Sequence, residues 1–257
     1  MKKYLKPATL PWFVLVTGGI GIALRFWLLS AGVDTKGLLK TGHPAGILLW
    51  VLTAITAGVV IYGCLPLVEA NKYGYNFPST PISAIGEGFL ALGILVVGIL
   101  SLCRSSDTLS IIMAIAGFLS VPMLLLCAFY RWKGVKPLFL FHGFVCIFWV
   151  LRLISLYRDW SPDPQLQHYI FALLANIFVM LSYYQRTAFD AGSGNRRVHA
   201  ITHLEAAFFC CLSIVGSRDW YLYVACVLWS ITDLCRLTPM PKRAPHSPKK
   251  DEDHEPA

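Results

Sequence analysis

The sequence predicts an all-α, polytopic membrane helix bundle with about eight transmembrane helices. Three observations carry that expectation. Of 257 residues, 56% are hydrophobic and 14% charged, and the mean hydropathy is +0.60, more apolar material than a soluble core of this length takes up. The apolar residues fall into eight runs of about 20, the length a helix needs to cross a hydrocarbon layer of about 30 Å. Lys and Arg collect in alternate gaps between those runs.

The spans are expected at Leu10 to Leu29, Pro44 to Val68, Ile82 to Cys103, Leu109 to Tyr130, Pro137 to Tyr157, Gln165 to Tyr184, Val198 to Gly216 and Asp219 to Leu237. Lys2 and Lys3 before the first span resemble the start of a signal peptide, but Arg25 and the length of the run argue for a retained helix. Prolines at Pro44 and Pro137 suit helix starts, Pro122 lies inside the fourth span, and Gly19 with Ala23 and Ala84 with Gly88 are spaced for close helix approach. The helical bundle thus takes residues 1–237. Residues 238–257, with five prolines, Lys242, Arg243, Lys249, Lys250 and the stretch DEDHE, read as a disordered cytoplasmic tail.

Basic residues orient the bundle. With the N-terminus in the cytoplasm, 15 Lys and Arg residues fall on the inner side, Arg131, Lys133, Arg186 and Arg196 among them, against 5 outside: Lys36, Lys40, Arg104, Arg158 and Arg218. Both termini are therefore expected in the cytoplasm of a cell-membrane protein. Trp12 and Trp132 then mark the inner interface and Trp160 and Trp220 the outer one. The net charge of +8 forms no stripe or arm, so the expected partner is the lipid bilayer, with a small solute or protons, and not nucleic acid. The eight cysteines lie in or beside apolar runs without metal or disulfide spacing and read as packing residues.

A faint parallel repeat of four plus four helices is suggested by Lys6-Pro7 and Lys136-Pro137, each followed by a late arginine, Arg25 and Arg152. The unequal spacing to those arginines weakens the match.

Ionisable residues inside the spans carry the functional signal, because a charge at membrane depth is costly. Glu87, His142, His199, His203, Glu205 and Asp233 share a layer roughly 8 Å below the inner surface and are the candidate proton or transport site. His199 and His203, spaced i and i+4, present one face and are candidate metal ligands, with Glu87 or Asp233 as an acidic third. Ala200 after His199 excludes the metalloprotease motif. A haem would use His142 with His203, and His43 with His168 offers a second pair. Arg25 and Arg152, near the outer ends of their spans, either grip an anion from outside or extend toward lipid phosphates.

No nucleotide-binding, nucleophile-elbow or zinc-protease signature is present, so an ATP-driven pump is not expected; whether the chain is an enzyme stays open, more in favour of a non-enzyme, and no cofactor is predicted beyond the haem or metal ion that the histidine pairs leave open. Three functions stay open: a small permease or channel-like transporter whose inner acidic and histidine layer handles protons or a cationic solute, a haem- or metal-binding redox subunit, and a non-catalytic membrane partner or assembly protein.

Overall fold

The computed structural model describes residues 7–34, 39–40, 42–67, 77, 81–104, 107–161 and 169–234. After a 3-10 turn at Pro7–Thr9, the described residues form eight α-helices: α1 Leu10–Ala31, α2 Pro44–Cys64, α3 Pro81–Arg104, α4 Thr108–Trp132, α5 Phe139–Trp160, α6 Ile170–Asp190, α7 Arg196–Ile214 and α8 Trp220–Leu234. They correspond in order to the eight expected spans, and there is no strand among the described residues, only a bridge between Val33 and Leu39. The tail from residue 238, His168 and most of the loop before α3 lie outside the described residues.

Local chemistry explains several boundaries. Pro44 and Pro81 open α2 and α3, where a missing N–H costs nothing. The Asn195 side chain accepts from the N–H groups of Arg197 and Val198 at 2.9 and 3.3 Å and so caps α7. Gly192, at φ 81°, turns the chain out of α6 through the left-handed region that a side chain would strain. The sixth helix differs from the expected span: it runs six residues beyond Tyr184, to Asp190. That extension carries Arg186 and Asp190 as helical residues, not loop charges.

Among the described residues five helices, α1, α2, α3, α4 and α5, are long and apolar enough to cross a membrane. Their outward faces carry large apolar side chains such as Val16, Phe26, Ile55, Leu92, Leu119 and Ile147, as lipid contact requires. By contrast, α7 is the most enclosed helix, with 15 of 19 residues buried. It packs against α1, α2, α6 and α8. Neighbouring helices shield it from lipid, and it accordingly tolerates Arg196, His199, His203 and Glu205.

Helices α3, α4, α5, α6, α7 and α8 pack each on the next, and α8 returns to α3, closing a six-helix ring. The pair α1 and α2 lies outside it against α7. The two four-helix halves thus hold unlike places: α1 packs along α7, and no comparable contact joins α5 to α3. Close approach is set by glycines one or two residues away from those expected. A Cβ on Gly18 would meet Cys211 Sγ at 2.9 Å, one on Gly21 would meet Leu212 at 2.2 Å, and one on Gly86 would meet Thr232 Oγ1 at 1.9 Å. Gly19 and Gly88 instead have nothing within 4 Å, because they sit about 100° around from Gly18 and about 200° around from Gly86. The described cysteines are unbridged.

Candidate functional site

Successive helices run in opposite directions, so α1 begins and α8 finishes at one end of the bundle, the proximal end. Every helix of the ring brings an ionisable side chain there: Glu87 from α3, Arg131 from α4, His142 from α5, Arg186 and Asp190 from α6, His199 and His203 from α7, and Asp233 from α8.

Four of these groups form a closed ring of charge. Arg131 and Arg186 both donate to Glu87 Oε1, at 3.0 and 2.6 Å. The same two guanidinium groups reach the carboxylate of Asp233, Arg131 at Oδ1 and Arg186 at Oδ2. Phe77 covers the arrangement, its ring centre 5.2 Å from the Arg131 guanidinium and 5.6 Å from that of Arg186. Trp229 stacks on Tyr183 at 4.7 Å and lies 4.8 Å from the Arg186 guanidinium. Two positive and two negative charges cancel, which is the condition under which charges are buried together.

Beside this quartet, His142 Nδ1 lies 2.5 Å from Asp190 Oδ2. His203 Nε2 is 3.5 Å and His199 Nε2 3.9 Å from Asp233 Oδ2. The structure therefore brings Glu87, Asp233, His199 and His203 together and adds two arginines and Asp190 that the sequence had placed in loops. Arg131 and Arg186, counted as inner-loop charges, are 4% and 1% exposed inside helices. The available signal was the acids themselves: Glu87 and Asp233 needed counter-charges, and arginines stood just past neighbouring span ends at the same level. Glu205 does not join the cluster. Two residues beyond His203, it points about 200° around α7, toward α2 near Cys64, and both its oxygens are buried without a hydrogen bond among the described residues.

This geometry limits what the proximal cluster does. The donor atoms of His199, His203 and Asp233 lie within 4.8 Å of one another, against about 3.4 Å for neighbouring ligands on tetrahedral zinc. Both Asp233 oxygens already face guanidinium groups. A divalent metal or cationic solute there would add positive charge to a neutral quartet, so the cluster is a poor cation site. For haem, His142 is engaged by Asp190, and the His203 ring packs 4.2 Å from that of Trp229. His43 caps α2 by accepting from the Ala45 N–H at 3.3 Å.

The distal end is built differently. A cavity of about 490 Å³ opens there, and both Arg25 and Arg152 line it. They are 4% and 1% exposed, so neither extends to lipid headgroups. Arg152 donates from Nε to Asn176 Oδ1 at 3.1 Å and from NH2 to Asp219 Oδ2 at 2.9 Å. Asn176 is held in turn, donating to Ala172 O at 2.6 Å and to the Tyr223 hydroxyl at 2.9 Å. The Arg25 guanidinium rests 5.3 Å from the ring centre of Phe171. Ser155 and Ser213 add hydroxyls, and Trp160 stacks on Tyr169 at 4.5 Å along the wall. Asn176, Asp219 and Tyr223 were not legible as site residues, because an amide, a helix-end acid and a tyrosine are ordinary in such positions.

Between the ends lies an apolar belt. Ile94, Phe148, Trp149, Val179, Leu222 and Cys226 are buried at intermediate helical levels and leave the two polar regions about 15 Å apart along α5, from His142 to Arg152.

No protein-family model matches the sequence, and neither a curated protein nor a solved structure matches it.

Proposed function

We propose that the protein is a small solute permease of the cell membrane, with both termini in the cytoplasm and its solute site in the distal cavity. One observation carries this reading: a polar cavity holding two buried arginines at one end, separated by an apolar belt from a compensated charge cluster at the other. Transporters place irregular and polar elements where they line a cavity, and they keep one side closed while the other is open. The proximal quartet supports the closed side, since ion pairs bridging α3, α4, α6 and α8 hold those helices together. The solute site moves accordingly from the proximal acidic and histidine layer to the distal arginines.

The test is flux. The full chain in liposomes is expected to admit a small polar solute, from a tracer panel of one sugar, one amino acid, one organic acid and one phosphate ester, with saturation. Ser155→Trp, which fills the cavity, is expected to stop that flux. No movement above empty liposomes for any tracer would sink the permease assignment, and undiminished flux in Ser155→Trp would remove the solute site from the distal cavity.

A further inference from the structure

We infer that the distal cavity takes an oxyanion, a phosphate or carboxylate group, and that Asp219 is a tethered stand-in for it which the ligand displaces from Arg152. The inference rests on the cavity being the solute site, and it adds the class of solute and the manner of its entry.

Arg152 is built as an anion receptor. It is buried, its Nε is fixed by the Asn176 amide, and its Nη2 points to a carboxylate on the cavity wall. A guanidinium has planar, paired donors that match a carboxylate or phosphate, and holding one edge on a fixed amide orients the other. Asn176 is suited to that task because its own N–H groups are taken by Ala172 O and Tyr223. Replacing an arginine here by lysine would keep the charge and lose the fork.

Asp219 is the natural competitor. Its carboxylate lies where the α7–α8 connection meets the cavity, and its side chain is 17% exposed while that of Arg152 is 2% exposed. It is therefore the wetter and more displaceable partner of the pair. Tyr221 donates to Asp219 Oδ1 at 3.2 Å, so the carboxylate keeps one local partner when it leaves Arg152. A second guanidinium, that of Arg25 above Phe171, lines the same cavity, so two groups of the kind that binds oxyanions border one space. The proximal quartet supplies a contrast: there both carboxylates are 1 to 2% exposed, and each is shared between two guanidinium groups.

The mechanism makes opposite predictions for the two partners. A receptor occupied by its own aspartate shows a weakened apparent affinity, and removing that occupant restores it. Asp219→Asn is therefore expected to bind inorganic phosphate about tenfold more tightly than the unaltered chain, whereas Arg152→Gln and Arg152→Lys lose binding and Arg25→Gln weakens it. The experiment is calorimetric titration of the full chain with inorganic phosphate in uncharged detergent, at constant ionic strength and with chloride as the control. In parallel, the same variants in nanodiscs are compared with and without phosphatidic acid, using thermal unfolding as the readout.

A saturable phosphate response with this ordering supports the inference for a free oxyanion, and the same ordering only with phosphatidic acid supports it for a lipid headgroup. Equal responses to chloride and phosphate, no response from either source, or Asp219→Asn binding no better than the unaltered chain would overturn it. If Arg152→Gln fails to fold, Arg152→Lys and Asp219→Asn still decide. Phosphate binding without flux would refute the permease and leave the oxyanion site standing. Saturable flux of a neutral solute without oxyanion binding would do the reverse.

Discussion

A pair of buried arginines stands at the centre of the polar region at each end of the bundle, yet the two pairs are compensated in opposite ways. At the proximal end Arg131 and Arg186 meet Glu87 and Asp233 in a closed, neutral quartet with aromatic cover from Phe77 and Trp229. At the distal end Arg152 meets an amide and a partly exposed carboxylate, Arg25 meets an aromatic face, and both border a cavity. Depth alone does not distinguish them, since all four side chains are buried. Whether a buried charge supports the fold or receives a ligand depends on whether its partners close around it or leave it facing accessible space.

That contrast breaks first, and most heavily, at the quartet. Asp233→Asn leaves Arg131 and Arg186 short of negative charge, and removal of one partner from a buried pair costs about 3–5 kcal/mol. A marked drop in thermal unfolding temperature in detergent is expected, and an unchanged value would show that the quartet does not hold the proximal end. A second test sharpens the packing around it. Gly86→Ala drives a methyl toward Thr232 Oγ1 and the Trp229 backbone, at 1.9 and 3.3 Å, and overpacking of this kind costs about 1–3 kcal/mol. Gly88→Ala, with open space beside it, is the control and is expected to be neutral or slightly stabilising.

At the distal end the expected stability effect is smaller. Arg152→Gln removes its bonds to Asn176 and Asp219 next to a cavity that water can enter, for a loss of about 1–3 kcal/mol, so it is expected to unfold above Asp233→Asn in the same assay. The reverse order would erase the distinction between a closed and an open site. The smallest effect belongs to Arg158 and Asp107, an ion pair with side chains 55% and 39% exposed. Asp107→Asn is expected to change stability by less than about 1 kcal/mol, and that little only at low salt. Metal analysis of the purified chain adds a separate check on the quartet: zinc or iron well below one equivalent is expected, whereas stoichiometric metal lost in His203→Ala would require Arg131 and Arg186 to release Asp233.

Much of the bundle was legible from the sequence. The eight helices follow from apolar runs that each need one crossing, and the common depth of Glu87, His203 and Asp233 follows from counting residues at a fixed helical rise. The closest helix contacts were not legible in the same way. Gly18 and Gly86 face partners and Gly19 and Gly88 do not, a difference of one or two residues that a small-residue pattern in an apolar run does not resolve. Arg131 and Arg186 were harder still. A basic residue at a span end is ordinarily kept in water, and only carboxylates on three-dimensional neighbours make it turn inward.

The sequence by itself determined the class of the molecule: all-helical, with several segments long and apolar enough for a membrane, and with ionisable groups gathered toward two levels. Those properties are additive along the chain, set by hydrophobicity, helix length and rise. The tertiary structure alone decided which charges meet. It matched Arg131 and Arg186 to Glu87 across 44 and 99 residues of sequence, turned Glu205 away from the histidines beside it, and set Arg152 against Asp219 on a cavity wall. Such pairings depend on helix order and rotation, which are settled by packing between helices distant in the chain and leave no local mark on either partner.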